Sequence, residues 1–242
     1  MTAKVAIVTG GTSGMGEATA QELVKRGWQV AVMARNKLHK DIFSVQGDVA
    51  QDADCRRVAR AVLDKWGRID ALVNNAGTTK FVKHDDLEGL SADDILGIFR
   101  INLVGPWQMI RTCAPALKAA RGSIVNISSV AAVLGTGSSI AYAASKAALE
   151  TMSMSLARVL GPEIRVNVVA PGYVKTPWQV AAHGQAGADE LEQKYASVAP
   201  LRTAVEAGDV AETIAWLLEG ARRLTGDIIY VDAGMHIASP RR

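Results

Sequence analysis

Short apolar runs alternate with segments of helical periodicity along the chain, and this alternation constrains the fold more than any other feature. The apolar runs lie at 5–9, 30–34, 42–46, 71–74, 123–128, 165–170 and 227–231, and helical spacing fills 16–26, 52–66, 92–117, 140–160 and 210–220. Strands covered on both faces read as near-continuous apolar runs. The pattern therefore predicts an α/β protein with a doubly wound, predominantly parallel, seven-stranded sheet between two layers of helices.

Composition narrows the class of protein further. Hydrophobic residues make up 49% of the chain and charged residues 21%, which indicates a globular protein, and no linker or repeat divides residues 1–242, so we expect one domain. A net charge of +3 without a long basic run disfavours nucleic acid as a partner. No apolar run reaches the roughly 20 residues of a membrane span, and the start lacks a signal-peptide pattern, so a cytoplasmic location is expected. The two cysteines, Cys55 and Cys113, lack metal-ligand spacing, and no metal site is predicted.

One long segment, 176–200, has weak periodicity and a glycine-containing centre around His183. Its length exceeds that of ordinary connections between packed elements. We expect a substrate-binding loop or lid there rather than a disordered insertion.

A glycine-rich turn follows the first predicted strand and precedes a helix. It reads Thr9-Gly10-Gly11-Thr12-Ser13-Gly14-Met15-Gly16. Glycines permit a tight turn and a close approach of main chain to a pyrophosphate, whose charge is stabilised by the amides of the helix N-terminus. In this strand-turn-helix setting the turn predicts a Rossmann-like dinucleotide site that includes Gly10, Thr12, Ser13, Gly14, Met15 and Gly16.

The spacing of that turn resembles the short-chain dehydrogenase/reductase family, and further motifs follow in the family's order. They are Asn74-Asn75-Ala76-Gly77, Asn102, Ser129, Tyr142 with Lys146, Pro171-Gly172 with Thr176, and the late segment 225–234. The resemblance thus spans nearly the whole chain. It implies an oxidoreductase that exchanges hydride between a nicotinamide cofactor and a carbonyl or secondary alcohol, 3-oxoacyl groups being one candidate among several.

The end of the second strand bears on the choice of cofactor. Ala34 stands where NAD-specific members of the family carry an aspartate, and Arg35 and Asn36 follow it. A guanidinium matches a 2′-phosphate that a carboxylate would repel, so NADP(H) is predicted. Against this, Ser13 departs from the basic residue that many NADP-preferring relatives have, and Arg35 could simply be solvated; an NAD-dependent alcohol dehydrogenase is the alternative.

The resemblance also implies further cofactor contacts. Asp48 and Val49 would lie beside the adenine, and Asn75, Ala76 and Gly77 beside the ribose. Pro171, Gly172, Val174 and Thr176 would lie near the nicotinamide, Lys146 would bind its ribose, and Tyr142 would also contact the cofactor. The segment 35–46 is shorter than in many relatives, which leaves little room for a helix there.

Tyr142 and Lys146 stand four residues apart, and hence on one face of a helix. A nearby cation lowers the pKa of a phenol, so Tyr142 is predicted to be the general acid/base. Ser129 follows a strand end, where parallel sheets gather ligands, and is preferred to Ser128 for orienting the carbonyl. The resemblance alone assigns Asn102 to a proton-relay water; Pro106 cannot donate to its carbonyl, so a helix distortion is expected there.

Three other classes remain as alternatives. A non-catalytic dinucleotide sensor is disfavoured by the complete set of Asn102, Ser129, Tyr142 and Lys146. Epimerases or dehydratases with related sites are longer, and enoyl reductases usually separate the tyrosine from the lysine by more residues. For the substrate, the residues of 176–200 suggest only a modest hydrophobic or mixed molecule. The family commonly forms tetramers, so a homo-oligomer, as a tetramer or dimer, is expected.

Overall fold

A computed structural model describes residues 3–36 and 38–238, and its centre is a seven-stranded sheet in which all neighbouring strands are parallel. The strands are β1 Val5–Thr9, β2 Gln29–Ala34, β3 Phe43–Gln46, β4 Ala71–Asn74, β5 Ser123–Ile127, β6 Arg165–Pro171 and β7 Ile228–Val231. Their order is β3-β2-β1-β4-β5-β6-β7. The predicted α/β class and parallel sheet are confirmed.

The helices are α1 Gly14–Lys25, α2 Asp52–Trp66, α3 Ala92–Phe99, α4 Gly105–Ala120, α5 Ala131–Leu134, α6 Ile140–Leu160, α7 Pro177–Val198 and α8 Ala207–Glu219. Among them, α1 and α8 pack on one face of the sheet, and α2, α4 and α6 pack on the other. Short 3₁₀ turns lie at Leu87–Gly89 and Met235–Ile237. None of the helices within the described ranges is both long enough and apolar enough to span a membrane.

Both faces of the sheet are covered, which explains why its strands are continuous apolar runs. In β1, Val8 packs in the core with Ile214 of α8, while its neighbour Ile7 faces the opposite core with Leu72 and Met109. All five side chains are fully buried. Each such aliphatic side chain contributes about 1.5–3 kcal/mol through removal of its surface from water.

The strand order reverses between β1 and β4. From β1 the chain runs outward to β2 and β3, and it then returns to place β4 on the other side of β1. Connections that leave two adjacent strands in opposite directions open a crevice at the carboxyl edge of the sheet. This crevice locates the candidate site.

Two segments differ from the sequence prediction. The expected loop at 176–200 is wrong as secondary structure, because Pro177–Val198 is helical and interrupted only at Gly184, whose φ of 69° is non-helical. Its glycines obscured the periodicity, whereas Pro177 at the helix start and several alanines favour a helix. The single helix predicted at 92–117 is instead α3 and α4 joined by a π-helical segment, Arg100–Val104. As expected from its shortness, the described part of 35–42 forms no helix.

Candidate active site

The turn after β1 has a backbone that requires glycine at several positions. Gly10 and Gly14 have φ angles of 65° and 54°, in the left-handed region. A Cβ on Gly16 would lie 2.3 Å from the carbonyl oxygen of Gly10 and 2.3 Å from the side-chain nitrogen of Asn75. Because α1 begins at Gly14, its free amides face the crevice, and the turn fits the dinucleotide phosphates that its sequence predicts.

Hydrogen bonds fix that turn against the end of β4. Asn75 donates from its side chain to the carbonyl oxygens of Thr9 at 3.0 Å and Gly10 at 3.2 Å. The hydroxyl of Thr9 accepts from the amides of Asn75 and Ala76, each at 3.1 Å. The turn after β1 and the segment after β4, which flank the crevice, are therefore held together by hydrogen bonds within the protein.

A cleft of about 460 Å³ runs along this crevice. Of the residues predicted to contact cofactor, it is lined by Gly10, Thr12, Ser13, Gly14, Met15, Arg35, Asn36, Asp48, Val49, Asn75, Ala76, Gly77, Tyr142, Lys146 and Thr176. Gly16 is buried beneath the turn, and Pro171, Gly172 and Val174 line an adjacent cavity instead. The structure thus brings most of the predicted cofactor set to one continuous surface.

The outer end of the cleft is formed by the ends of β2 and β3. Gln46 donates to the carbonyl oxygen of Arg35 at 2.8 Å, which fixes the main chain there, while the Arg35 side chain is exposed. The carboxylate of Asp48 accepts from the amide of Ala50 at 2.9 Å and closes a tight turn. Of the two described residues that directly follow β2, Arg35 is charged and Asn36 is not, so the charge at this end of the strand is positive.

Tyr142 lies in the first turn of α6, where the side chain of the capping residue Ser139 accepts its amide at 3.3 Å. Burial raises the pKa of the Tyr142 phenol above its usual value of 10.0, and a hydrogen bond with the hydroxyl of Ser129 acts in the opposite direction. The pKa of Tyr142 is therefore raised, and the lowered pKa expected from the nearby lysine is wrong. Tyr142 is a neutral phenol at neutral pH, which suits a proton donor.

Lys146, one turn further along α6, is almost completely buried. Its ammonium donates to the carbonyl oxygen of Ile127 at 2.8 Å and lies 5.6 Å from the centre of the Tyr142 ring. Burial lowers the pKa of Lys146 from 10.5 to about 8, although the charge of Glu150 opposes this effect. The ammonium is charged at neutral pH and close to losing that charge in mild base.

Asn102 lies in the π-helical segment and is fully buried. Its side chain accepts from the amide of Thr78 at 2.8 Å and donates to the carbonyl oxygen of Thr78 at 2.9 Å and to the hydroxyl of Ser145 at 3.0 Å. The amide of Gly105, just before Pro106, donates to the carbonyl oxygen of Arg100 five residues back, which is the spacing of a π-helix. The helix distortion expected from Pro106 is therefore present. With its side chain fully engaged, Asn102 joins α6 to the segment after β4.

A second cavity, of about 730 Å³ and mostly apolar, adjoins the cleft, and Tyr142 lines both. Its aromatic residues come from outside the sheet. Phe81 lies 6.1 Å from Trp178 and 4.9 Å from His183 between ring centres, and Trp178 lies 6.3 Å from Tyr142. Ser129, Gly172 and Val174 also line this cavity. A ligand in this cavity would meet the Tyr142 and Ser129 hydroxyls together.

Ser129 is a hydrogen-bond partner of Tyr142, whereas the Ser128 hydroxyl donates at 2.7 Å to Glu150; the choice of Ser129 over Ser128 stays a prediction. Sequence reasoning gave no role to Thr78, Ser145, Phe81 or Glu150. Ser145 and Glu150 carried a signal, since their spacing places them beside Tyr142 and Lys146 on α6. Phe81 carried none, because it lies in an irregular segment far from every motif.

Comparisons with known proteins agree with this geometry. A family described as enoyl-(acyl carrier protein) reductase matches residues 10–236. A Streptomyces violaceoruber protein assigned as ketoacyl reductase 2 of the granaticin polyketide synthase is 36% identical over 97% of this chain and 97% of its own. A 3-oxoacyl-[acyl-carrier-protein] reductase of Staphylococcus aureus is 31% identical over 97% of this chain and 98% of its own.

Among solved structures, a Burkholderia xenovorans protein assigned to the short-chain dehydrogenases/reductases superposes with a TM-score of 0.88 and 33% identity, covering 98% of this chain and 100% of its own. Family and structural matches both extend over almost the full sequence, including the glycine turn and the tyrosine–lysine helix. The chain therefore belongs to the short-chain dehydrogenase/reductase family of oxidoreductases.

Proposed function

We propose that the protein transfers hydride between NADP(H) and a carbonyl or secondary alcohol substrate, with Tyr142 as general acid/base. The single observation that carries this proposal is the position of Tyr142, which lines both the dinucleotide cleft and the apolar cavity. A group there can exchange a proton with a substrate whose carbon faces the cleft. The phenol is neutral and can donate its proton, which favours reduction of a carbonyl over oxidation of an alcohol.

The residues present fit the cofactor. The glycine turn leaves room for phosphates that a Cβ would exclude, and the N-terminus of α1 supplies amides toward them. Gly10, Thr12, Ser13, Gly14, Met15 and Gly16 would form the phosphate site, with Asp48 and Val49 beside the adenine and Thr176 near the nicotinamide. When bound, NADPH supplies the hydride.

At the reacting end, the chain supplies a proton and a charge. The Tyr142 hydroxyl would donate its proton to the substrate oxygen, and Ser129 would hold that oxygen in line through a second hydrogen bond. The buried Lys146 ammonium would stabilise the phenolate that remains. Asn102 would keep α6 in register with the segment after β4 through Thr78 and Ser145.

Arg35 supports the preference for the phosphorylated cofactor. Its exposed guanidinium lines the adenine end of the cleft, and no acidic partner for it lies among the described residues. A 2′-phosphate would give it a charged, two-pronged partner. In cells the NADP pool is generally kept reduced, which again favours reduction.

The second cavity suggests a ketone with a bulky apolar body. Its exposed aromatic rings, Phe81 and Trp178, offer flat apolar surface close to the reacting hydroxyls. Reduction of a 3-oxoacyl group is a second candidate, favoured because two of the relatives are named as ketoacyl or 3-oxoacyl reductases.

We also expect a cytoplasmic homo-oligomer. Val104 and Trp107 leave large apolar side chains exposed at the start of α4, and Met154 does so on α6. Apolar surface of this kind is typical of subunit interfaces.

The test is NADPH consumption against a panel of carbonyl compounds, which should include aryl ketones, alkyl ketones and a 3-oxoacyl thioester. We expect turnover with at least one ketone and a higher kcat/KM with NADPH than with NADH. Binding of NADPH without turnover of any compound would favour a dinucleotide sensor, and a clear preference for NADH would refute the cofactor assignment.

A further inference from the structure

A carboxyl group lies in the interior one helical turn beyond Lys146. Glu150 is only 8% exposed, on the face of α6 that packs against the sheet. A buried carboxyl is rare because burial costs free energy unless the group is paired and hydrogen-bonded. The proposed reaction gives Glu150 no role.

The contacts of Glu150 lead directly to the reacting groups. Its carboxylate accepts a hydrogen bond from the hydroxyl of Ser128 at 2.7 Å. Ser128 stands between Ile127, whose carbonyl oxygen accepts from the Lys146 ammonium, and Ser129, the hydrogen-bond partner of Tyr142. The carboxylate therefore fixes Ser128, the middle residue of the segment 127–129 that contacts both members of the tyrosine–lysine pair.

The charge of Glu150 also acts on Lys146. Burial lowers the pKa of this ammonium to about 8, and the carboxylate is the opposing influence that keeps it from falling further. In turn, burial raises the pKa of Glu150, while the Ser128 hydrogen bond and the Lys146 charge lower it. From β7, Tyr230 also faces Glu150, and Tyr142 faces Lys146 from the same helix.

We propose that Glu150 is a positioning residue for the reaction, whose buried carboxylate is the counter-charge of the Lys146 ammonium one helical turn away and, through Ser128, holds the strand end that carries Ser129. This inference rests on the proposed function, because it concerns the residues of that reaction. Without the carboxylate, Lys146 loses its proton at lower pH, and support for the developing Tyr142 phenolate is lost earlier as pH rises.

The test compares Glu150→Gln with Ser128→Ala in the full-length protein, using the pH profile of kcat/KM for ketone reduction by NADPH. The glutamine keeps an oxygen that accepts from Ser128 but removes the charge; the alanine keeps the charge but removes the hydrogen bond. We expect E150Q to move the alkaline limb of the profile about one pH unit lower, with roughly fivefold loss near pH 8, about tenfold loss above pH 9 and little loss near pH 6.

For Ser128→Ala we expect a few-fold loss that is even along the alkaline limb, because Glu150 is charged at those pH values with or without the hydrogen bond that lowers its pKa. Glu212→Gln, at an exposed position of α8, is the matched surface control and should keep the wild-type profile. An E150Q profile that superimposes on the wild type, or is lowered evenly at all pH values, overturns the proposal. If E150Q does not fold, Glu150→Asp decides: it retains the charge at a greater distance and should shift the limb by less, and an unshifted limb refutes the role.

The outcomes also separate this inference from the proposed function. Wild-type protein without NADPH-dependent turnover, or a Tyr142→Phe variant with full turnover, would refute the reaction itself. Wild-type turnover that depends on Tyr142, together with an unshifted E150Q profile, would refute the role of Glu150 alone.

Discussion

The cleft at the sheet edge and the adjoining apolar cavity meet at Tyr142, but their walls are built differently. The cleft is walled largely by main chain, small residues and strand ends, which are tied together by hydrogen bonds such as those from Asn75 to Thr9 and Gly10. The cavity is walled by side chains from segments outside the sheet, including Phe81 from an irregular segment and Trp178 and His183 from α7.

The difference indicates how the two properties of the site can vary. The cleft depends on backbone geometry that tolerates few replacements, because a Cβ at Gly16 would collide with the turn. The cavity depends on exposed rings that can be exchanged without disturbing the sheet. Changes in the cavity should therefore alter the choice of substrate, and changes in the cleft should alter the choice of cofactor, with only the residues at the junction affecting both.

The strongest test of the junction is Tyr142→Phe. The variant keeps the ring between the two regions but removes the transferable proton, so we expect kcat to fall by about a thousandfold with NADPH binding unchanged. Tyr195→Phe removes a hydroxyl from the same cavity and serves as the control, with activity near the wild type. Comparable activity in the two variants would mean that Tyr142 does not carry the proton.

Lys146→Met tests how much the burial of the Lys146 charge lowers the free energy of unfolding. The folded pKa of Lys146, about 8, lies below the unfolded value of 10.5. Between these values the unfolded chain binds the proton and the folded chain does not, so raising the pH favours folding of the wild type. Relative to the variant, the wild type should gain about 2 kcal/mol of unfolding free energy from about pH 7 to about pH 9.5.

Denaturant unfolding of both proteins at the two pH values measures this difference. Taking the difference between variant and wild type cancels the common effects of Cys55 and Cys113, whose pKa values burial raises to about 11 and about 12. If the difference does not change with pH, Lys146 is not the source of the cost.

The contrast between the two regions also explains what the sequence could predict. The strands and the glycine turn were predictable because buried parallel strands and tight turns restrict residue type locally. Pro106 likewise predicts the helix distortion at Asn102, because proline has no amide to donate to the carbonyl oxygen four residues earlier. The cavity is less accessible to prediction. Gly184 and Gly187 interrupt the periodicity of 176–200, so the sequence predicts a loop where α7 is helical, and the packing of Phe81 against Trp178 depends on tertiary structure alone.

The pKa of Tyr142 illustrates the same limit. Spacing placed Lys146 on the same helix face, and a cation should lower the pKa of a phenol. In the folded chain, burial dominates and raises it. The depth to which a group is buried is a property of the whole fold, so the direction of this shift could not come from a five-residue motif.

In the cleft, Arg35→Ala should change the choice of cofactor without changing the reaction. A charged hydrogen bond to a 2′-phosphate is worth about 1.5 kcal/mol at an exposed site, so kcat/KM with NADPH should fall about tenfold. The value with NADH, which lacks that phosphate, is the internal control and should stay the same. Equal losses with both cofactors would place the effect of Arg35 elsewhere than the phosphate.

In the cavity, Phe81→Ala should produce the smallest of these effects. Its ring is partly exposed, packs against Trp178 and His183, and lines the apolar cavity but not the cleft. Loss of an aromatic contact of about 1 kcal/mol should raise KM about fivefold for a bulky aryl ketone and leave KM for NADPH unchanged.

Phe81→Leu separates the loss of apolar volume from the loss of the aromatic face, because leucine keeps apolar volume but has no flat ring. A rise in KM in the leucine variant that is intermediate for an aryl ketone, and absent for a small alkyl ketone, would assign the effect to contact with the substrate ring. A rise in KM for NADPH that matches the rise for the ketone would break the separation of the two regions, because it would mean that Phe81 supports the cleft as well as the cavity.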